Sequence, residues 1–310
     1  MKKIITLALV LMMVAMTACA SATTVGICQL VQHVALDQAT QGFKDALSEK
    51  MPDVIFDEKN ASGDAVNCAT IANTFVSDGV DLIMCNATPA LQAAVAATGD
   101  IPILGTSVTE YGVALGIDGF TGVTGMNVSG TSDLAPLDQQ AAMVKELFPD
   151  AKKVGLIYCS AEANSIYQVK VVGEELAKLG YETEEFAFTD SNDVASVSAL
   201  AAQNCDVVYI PTDNTAAAYT ETIANELIPA KIPAVVGEEG ICKGCGVATL
   251  TISYYDIGYA TGLMAYEILA NGADISAMPI EYAPQFTKKY NAANAEALGL
   301  TIPADYTAIE

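Results

Sequence analysis

A group of small polar residues follows a short apolar segment in the middle of the chain. The apolar segment is Val154–Tyr158, and Ser160, Asn164 and Ser165 come shortly after it. This order predicts a buried parallel strand that leads through a short loop into the first turn of a helix. Because the N–H groups at a helix start are unpaired and carry partial positive charge, such a loop is suited to binding a polar or anionic group.

The chain contains this arrangement twice. Val25-Gly26-Ile27-Cys28-Gln29 has the same layout as the central segment and is followed by the same order of predicted elements at nearly the same spacing. The loops at residues 86–89 and 211–214 therefore occupy equivalent positions in two similar halves. Two similar halves that face each other predict a cleft between them.

The residue types give little support to catalysis or metal binding. The chain has a single histidine, and it lacks both the Gly-x-Ser-x-Gly motif and the phosphate loop Gly-x4-Gly-Lys-Ser/Thr. Cys242 and Cys245 are spaced for a local disulfide or for half of a metal site, but there is no second pair of this kind. We therefore expect no catalytic residue, no cofactor and no metal.

The charge of the chain restricts its partners. It has 14 Lys and Arg against 37 Asp and Glu, for a formal net charge of −23, and every basic residue is Lys. A surface this acidic repels nucleic acid and anionic lipid headgroups. Without arginine, a ligand carboxylate must be held by hydroxyls, backbone N–H groups and helix starts rather than by a bidentate guanidinium. The absence of Trp also disfavours a sugar site built on indole rings.

The first residues predict an export signal. Two lysines precede the run Ile4–Met16, which is too short to span a bilayer, since a spanning helix needs roughly 20 residues. Met16-Thr17-Ala18-Cys19 resembles a bacterial lipobox, so we expect residues 1–18 to be a lipoprotein signal peptide and Cys19 to carry the lipid. The alternative is ordinary cleavage near Ala20 or Ala22. A lipid on Cys19 would anchor the chain outside the cytoplasmic membrane, in the periplasm or on the outer face of that membrane.

Strand-like and helix-like segments alternate along the rest of the chain. This alternation is typical of parallel α/β sheets, and the length favours two domains. Thr121–Ser132 is rich in Gly, Thr and Ser and is the natural crossing between the halves. The chain is predicted to end with a strand at Ile280–Tyr282 and a helix at Lys288–Ala297.

Several short motifs occur in a fixed order between Thr24 and about Thr287. They are Val25-Gly26-Ile27-Cys28-Gln29-Leu30-Val31-Gln32-His33 with Leu36-Asp37, Ala87-Thr88-Pro89-Ala90, Ser107-Val108-Thr109, Val123-Thr124-Gly125, Ser160-Ala161-Glu162-Ala163-Asn164-Ser165 with Gln168, Pro211-Thr212-Asp213-Asn214, and Tyr255-Asp256-Ile257-Gly258-Tyr259-Ala260-Thr261-Gly262. Together they resemble the substrate-binding proteins of ABC transporters associated with tryptophan and other aromatic amino acids. Val34, where that family often has proline, and the pair Glu238-Glu239 depart from its pattern.

The resemblance implies a periplasmic-binding-protein fold of the first type. In that fold, two Rossmann-like α/β lobes with parallel sheets are joined by a hinge of three crossings, and the ligand lies in the cleft. The implied N-terminal lobe comprises residues 24–127 and 252–276, and the implied C-terminal lobe comprises residues 128–251 and 277–310. The protein would then be a monomer that binds a small molecule and is recognised by an ABC permease.

The residues expected to hold a ligand carboxylate follow from this resemblance. In doubly wound sheets the ligand lies beyond the carboxyl ends of the strands. Either Thr88 and Thr109, with nearby helix-start N–H groups, would hold the carboxylate from the first lobe, or Ser160, Asn164 and Ser165 would hold it from the second. Thr88 could instead serve only as the N-cap of its helix.

The other expected ligand contacts are charged or lie at the rim. Asp213 would pair with an α-ammonium, because a charge in a closed cleft needs an opposite charge once water has left. Asn214 and Glu238 are secondary candidates, and Gln29 and His33 would line the rim of the first lobe. Asp213 could also be only a helix cap, and His33 only a surface residue.

Three classes of function follow from these observations. The leading class is an extracytoplasmic solute-binding lipoprotein of an ABC importer, with an aromatic amino acid (Trp, Phe or Tyr) as its ligand and a purine nucleoside or a branched-chain amino acid as the alternatives. The second class is a ligand sensor that delivers its ligand to a receptor, which the sequence does not separate from a transport component. The third, a secreted hydrolase, lacks the required motifs.

Overall fold

The computed structural model describes residues 22–309 as two α/β lobes. The predicted signal peptide and Cys19 lie outside the described residues. The strands are β1 (Thr24–Gln29), β2 (Ile55–Asn60), β3 (Leu82–Asn86), β4 (Ile103–Val108), β5 (Val128–Ser132), β6 (Lys153–Cys159), β7 (Glu182–Phe188), β8 (Val207–Ile210), β9 (Ala234–Val236), β10 (Ala248–Thr251), β11 (Glu281–Tyr282), β12 (Thr287–Tyr290) and β13 (Thr307–Ala308).

Helices separate most of these strands. They are α1 (Val34–Lys50), α2 (Ala65–Asp78), α3 (Thr88–Ala97), α4 (Tyr111–Leu115), α5 (Leu137–Leu147), α6 (Ala163–Lys178), α7 (Val194–Asn204), α8 (Asn214–Ala218), α9 (Thr220–Leu227), α10 (Glu239–Gly244), α11 (Tyr254–Asn271) and α12 (Ala292–Leu298), with a 3-10 turn at Ile275–Ala277. Within residues 22–309, no helix has both the length and the apolar character needed to cross a bilayer.

Each lobe is built on one sheet. The first sheet has the order β11-β5-β4-β3-β1-β2, and its neighbouring strands are all parallel. The second has the order β13-β12-β10-β9-β8-β6-β7, and it is parallel except where β12 pairs with β10. The predicted fold class, two α/β lobes with mainly parallel sheets, is confirmed.

The antiparallel strand β12 corrects the predicted end of the chain. Residues 288–297 were expected to form one helix, but Thr287–Tyr290 extends the second sheet beside β10. The helix begins only at Ala292, because the side chain of Asn291 caps it by accepting a hydrogen bond from the N–H of Asn294 at 3.1 Å. An asparagine at this position starts a new helix rather than continuing one.

The internal repeat is visible in both sheets. The strand order β2-β1-β3 of the first lobe matches β7-β6-β8 of the second. At the amino end of β1, Asp81 Oδ2 accepts a hydrogen bond from the N–H of Thr24 at 2.8 Å. Asp206 Oδ2 does the same for Lys152 and Lys153 at the start of β6, at 2.8 and 3.0 Å, and these donors lower the pKa of Asp206. An equivalent carboxylate therefore fixes the first strand of each half.

The chain passes between the lobes later than the sequence predicts. Val128–Ser132 was placed in the C-terminal lobe, but it pairs with β4 and completes the first sheet. Glu281–Tyr282 was also placed there, and it pairs with β5. The first and third crossings therefore follow Ser132 and Tyr282, while the second lies between β10 and α11. The boundary was misplaced because the Gly- and Thr-rich sequence around β5 was taken for a linker, although all five residues of that strand are buried.

Helix α11 packs on α1 through glycines. A Cβ atom added at Gly258 would lie 2.0 Å from the carbonyl oxygen of Ala39, and one added at Gly42 would lie 2.1 Å from that of Tyr255. Both distances are below any real carbon–oxygen contact, so the helix backbones approach closely only because these side chains are absent. This contact places the segment that follows the second crossing against the first lobe.

We expect Gly258→Ala to destabilise the protein by about 1–3 kcal/mol, the usual cost of overpacking. The matched control is Gly173→Ala in α6, where the added Cβ would meet only the flexible Leu156 Cδ1 at 3.3 Å and alanine improves helix propensity by roughly 1 kcal/mol. Thermal unfolding followed by circular dichroism should show a lower Tm for the first variant and an equal or higher Tm for the second. Equal Tm values for both variants would contradict the close helix contact.

Candidate functional site

A pocket of about 420 Å³ lies between the two lobes. The first lobe contributes Leu30, Val31 and Pro89, and the second contributes Glu162 and Asn214 among other residues. These residues follow the carboxyl ends of β1, β3, β6 and β8. The volume is within the range of roughly 300–1,000 Å³ that is usual for small-molecule sites. The predicted cleft is therefore present at the expected edge of both sheets.

Two strained residues end neighbouring strands of the first lobe. Ala87, after β3, has φ +95°, and Ser107, at the end of β4, has φ +54°. Non-glycine residues at such angles cost on the order of 1–3 kcal/mol and occur preferentially at ligand sites. The hydroxyl of Ser107 is buried and has no hydrogen-bond partner. The carboxyl edge of the first sheet therefore has strained backbone beside a polar group without a partner.

Thr88 lies beside this strained segment. The helix begins at Thr88 itself, with Ala87 as its N-cap, so Thr88 is not the N-cap that the sequence predicted. It is buried and lies in the first turn of a ten-residue helix, next to the pocket residue Pro89. The Thr88 hydroxyl and the free N–H groups of that turn are suited to an anionic group.

Asp133 is the first residue after β5, where the chain leaves the first lobe. Its Oδ2 accepts a hydrogen bond from the hydroxyl of Tyr254 at 3.0 Å, whereas its Oδ1 is buried without a partner. Burial raises the pKa of Asp133 to about 6, against the opposing effect of hydrogen bonds from Thr109 and Tyr254. A buried carboxylate with a free oxygen is stabilised strongly by a cationic partner.

Glu162 organises the loops of the second lobe. Its Oε2 accepts hydrogen bonds from Asn164 Nδ2 at 3.1 Å and from Asn214 Nδ2 at 2.6 Å. Its Oε1 accepts hydrogen bonds from both the N–H and the hydroxyl of Thr215 at 2.9 Å. Asn164 Nδ2 also donates to the carbonyl of Thr212 at 3.1 Å, which fixes the orientation of the amide and leaves Asn164 Oδ1 buried without a partner.

Asp213 already has its donors within the second lobe. Its two oxygens accept hydrogen bonds from the N–H groups of Cys159 at 2.6 Å and Ala216 at 2.8 Å. Burial and repulsion from Glu162 raise the pKa of Asp213 to about 7, and hydrogen bonds from these N–H groups and from Ser165 oppose the shift. Asp213 and Ser165 thus hold the loop that the sequence placed at the ligand. The buried carboxylate oxygen that has no hydrogen-bond partner is Asp133 Oδ1.

Three other predicted residues also contact protein groups. Gln29 bonds Asp37 at 2.7 Å and Thr40 at 2.6 Å inside the first lobe. Glu238 caps α10 by accepting hydrogen bonds from Gly240 and Ile241, and burial raises its pKa to about 7. The hydroxyl of Ser160 donates to the Phe188 carbonyl at 3.2 Å. These residues are therefore engaged in holding loops and helix starts.

His33 and Asn214 meet across the cleft. His33 Nε2 lies 3.3 Å from Asn214 Oδ1, and burial lowers the pKa of His33, against the opposing effects of Asn214, Glu162 and Asp37. The contact joins residues 181 positions apart, one from each lobe. The lobes are therefore closed on each other in this structure.

Four of these residues were not predicted from the sequence. Ser107, Asp133, Glu162 and Tyr254 were each within or next to a segment identified from the sequence, but none was named as a ligand candidate. Ser107 and Asp133 directly end or follow buried strands, which is the position that marked the other candidates. Their positions at strand ends could have identified Ser107 and Asp133. The lack of a hydrogen-bond partner at each of them depends on three-dimensional contacts.

The cysteines and acids give no further site of the expected kinds. Cys242 and Cys245 are free, buried thiols and do not form the local disulfide that their spacing allows. In the described part of the chain, no three His, Cys, Asp or Glu side chains are grouped so that they could hold a metal ion.

The two lobes, the closed cleft and its polar loops define a solute-binding protein. Residues 24–308 match the family model described as ABC transporter substrate binding protein, and the chain belongs to this family. The resemblance in the sequence is thereby confirmed, and the protein is a substrate-binding component of an ABC transporter. The family is one of solute-binding proteins rather than enzymes.

Characterised relatives share most of the chain. It is 37% identical over 260 residues to a tyrosine-binding protein of Clostridioides difficile (strain R20291), which is 83% of this chain and 75% of the relative. A Streptococcus pneumoniae ABC domain in complex with L-Trp is 31% identical, with a TM-score of 0.89 over 93% of this chain and 100% of that one.

A third relative differs in conformation. The ligand-free, open structure of CD0873, a substrate binding protein with adhesive properties from Clostridium difficile, is 35% identical but has a TM-score of only 0.70, over 93% of this chain and 99% of that one. CD0873 is thus more identical in sequence to this chain than the Streptococcus pneumoniae protein is, but it is less similar in shape. This agrees with the contact between His33 and Asn214, since the present structure is closed.

The stability of the ligand-free protein should fall as the pH rises. The folded-state pKa values of Asp133, Asp213 and Glu238, about 6, 7 and 7, exceed the unfolded values of roughly 4. The folded state therefore holds protons that the unfolded chain has lost, and this stabilisation, complete below about pH 4, is lost as the pH rises through 6–7.

We expect a higher Tm at pH 5 than at pH 8 in differential scanning calorimetry without ligand. Asp133→Asn should reduce the difference, because it removes one of the three groups, while Asp78→Asn at an exposed site on α2 should leave it unchanged. A Tm that rises from pH 5 to pH 8 would contradict the predicted direction.

Proposed function

We propose that this protein binds an aromatic amino acid between its lobes for delivery to an ABC permease. The observation that carries the proposal is a closed interlobe pocket that has both apolar walls and polar groups. Leu30, Val31 and Pro89 supply apolar surface, while Glu162, Asn214 and Thr215 supply polar groups. Such a combination suits a ligand with a large apolar body and a zwitterionic end.

The α-amino and α-carboxylate groups would bind to different parts of the cleft. The Oδ1 atoms of Asp133 and Asn164 are acceptors and suit the ammonium group. The hydroxyls of Thr88 and Ser107, with the N–H groups at the start of α3, suit the carboxylate. The aromatic side chain would then occupy the pocket against Leu30 and Pro89.

Similarity to characterised proteins supports the ligand class. One relative is named as a tyrosine-binding protein and another was crystallised with L-Trp. Both are more than 30% identical to this chain over most of its length. We therefore propose Tyr and Trp, followed by Phe, as the ligands of this protein.

Closure would couple binding to transport. The contact between His33 and Asn214 exists only when the lobes approach, and Asn214 is held by Glu162 at the wall of the pocket. A ligand that fills the pocket would stabilise the closed form, and the permease would recognise the shape of that form.

Aromatic amino acids should stabilise the purified protein selectively. At a ligand concentration one hundredfold above Kd, binding adds about 2.7 kcal/mol to the free energy of unfolding. In thermal-shift measurements, L-Tyr, L-Trp or L-Phe should raise Tm, whereas leucine, adenosine and glucose serve as comparisons. If leucine or adenosine raised Tm and the aromatic amino acids did not, the proposed ligand class would be wrong.

We propose further that a lipid on Cys19 anchors the protein. Substrate-binding proteins of ABC importers act outside the cytoplasmic membrane, and the lipobox-like Met16-Thr17-Ala18-Cys19 supplies a means of retention there. Only five residues separate Cys19 from Val25 of the first strand, so the anchored lobes would lie close to the membrane surface.

Cys19→Ala should release the protein from the membrane without changing its fold. Fractionation of the natural host should move the variant to the soluble extracytoplasmic fraction, and labelling with a radioactive fatty acid should fail. Ser21→Ala is the control and should remain anchored and labelled. Equal membrane retention of both variants would favour an anchor other than Cys19.

A further inference from the structure

We infer that Glu162, Asn214 and His33 form an interlobe latch, which holds the lobes closed and sets how long a bound ligand stays in the cleft. Glu162 is the positioning residue of this latch, because it orients the Asn214 amide toward His33. The inference rests on the proposed function, since it assumes that a ligand bound between the lobes leaves when they open. It deepens that function by naming the contact that controls ligand release.

Glu162 is a buried acceptor surrounded by donors. Its Oε2 accepts hydrogen bonds from the backbone N–H and the side-chain Nδ2 of Asn214, at 3.1 and 2.6 Å. Its Oε1 is occupied by the N–H and the hydroxyl of Thr215, both at 2.9 Å. Because a carboxylate only accepts hydrogen bonds, the Asn214 amide must turn its Nδ2 toward Glu162 and its Oδ1 away from it.

The orientation of this amide determines which proton His33 must carry. Asn214 Oδ1 lies 3.3 Å from His33 Nε2, and the amide oxygen can only accept. A neutral His33 must therefore carry its proton on Nε2, since the other tautomer would set two acceptors against each other. The hydrogen bond from Asn214 Nδ2 to Glu162 also polarises the amide, which strengthens its oxygen as an acceptor for His33.

The interlobe latch forms part of the wall of the ligand pocket. Glu162 and Asn214 line that pocket, whereas His33 lines a neighbouring cavity of about 290 Å³. Ala218 lines both spaces, so they are adjacent. The contact between His33 and Asn214 therefore lies between the pocket and the next cavity, and a ligand in the pocket is next to two of the three latch residues.

The latch contributes free energy only to the closed form. Glu162 and Asn214 belong to the same lobe, so their hydrogen bonds persist when the lobes separate, and only the contact to His33 is lost. A hydrogen bond between neutral groups contributes a factor of roughly three to ten to an equilibrium. Because a ligand enters the open form, loss of this contact should raise the dissociation rate constant by that factor and leave the association rate constant unchanged.

Stopped-flow fluorescence with L-tryptophan measures both rate constants. The chain has no Trp, so the ligand is the only indole in the sample. His33→Ala should dissociate roughly three- to tenfold faster with unchanged association, and His33→Gln should restore most of the difference, because its amide supplies a donor again. Gln41→Ala is the control and should match the wild type, since Gln41 is exposed on α1 and bonds Asp45 of the same helix at 2.7 Å.

A double-mutant cycle assigns the effect to the pair. Asn214→Ala removes the acceptor of His33 and also changes the wall of the pocket, so its own effect on dissociation includes both losses. When the acceptor is already absent, removal of the donor has no contact left to break. The variant with both His33→Ala and Asn214→Ala should therefore dissociate no faster than Asn214→Ala alone.

Nitrogen-15 NMR of labelled histidine tests the role of Glu162. His33 is the single histidine of the chain, so untagged protein gives one pair of ring signals. At about pH 8, above the ordinary imidazole pKa of about 6.5, the ligand-bound wild type should show the Nε2–H tautomer. Glu162→Gln supplies a donor that allows the Asn214 amide to reverse, so the Nδ1–H tautomer should then appear. A structural role of Glu162 alone would not change the tautomer.

The outcomes separate the inference from the proposed function. If L-tryptophan bound but dissociated equally fast from the wild type and from His33→Ala, the inference would be overturned and the proposed function would stand. Ligand-bound wild type with His33 in the Nδ1–H form would also overturn it, and this measurement needs no variant to fold. If L-tryptophan, L-tyrosine and L-phenylalanine all failed to bind, the proposed function itself would fail and the inference with it.

Discussion

Burial of carboxylates at the junction of the two lobes is the constraint on which the site depends. Parallel strands bring their loops to one edge of each sheet, and closure of the lobes removes those loops from water. Hydrogen bonds from protein donors to Asp213, Glu162 and Glu238 offset part of the free-energy cost of removing these carboxylates from water. Asp133 does so with only one of its oxygens. The closed form therefore retains an unsatisfied acceptor that a cationic ligand group can complete.

The two lobes share a framework but differ at their loops. Asp81 and Asp206 fix equivalent strands at the far end of each sheet. At the cleft, the first lobe has strained residues and hydroxyls, whereas the second has loops held together by Glu162. The repeat thus supplies two opposed sets of loops that carry different polar groups.

The sequence predicts the framework well because its signals are local. Apolar runs, helical spacing and the internal repeat are sufficient for the two α/β lobes and for the loops that carry Thr88, Asn164 and Asn214. The crossing after Ser132 and the strand Thr287–Tyr290 were placed wrongly, since sheet-edge pairing depends on partners far away in the chain. The sequence could not predict, for the same reason, that Asp133 rather than Asp213 keeps an unpartnered oxygen, because this depends on which oxygen finds a donor after folding.

A crystal structure of the protein with L-tyrosine or L-tryptophan tests the central claim most directly. The account predicts the ligand ammonium nitrogen within about 2.7–3.2 Å of Asp133 Oδ1, with the ligand carboxylate toward Thr88 and Ser107. It also predicts that the hydrogen bonds from Cys159 and Ala216 to Asp213 remain in place. An ammonium group bound to Asp213, or a ligand with its carboxylate beside Asp133, would contradict it.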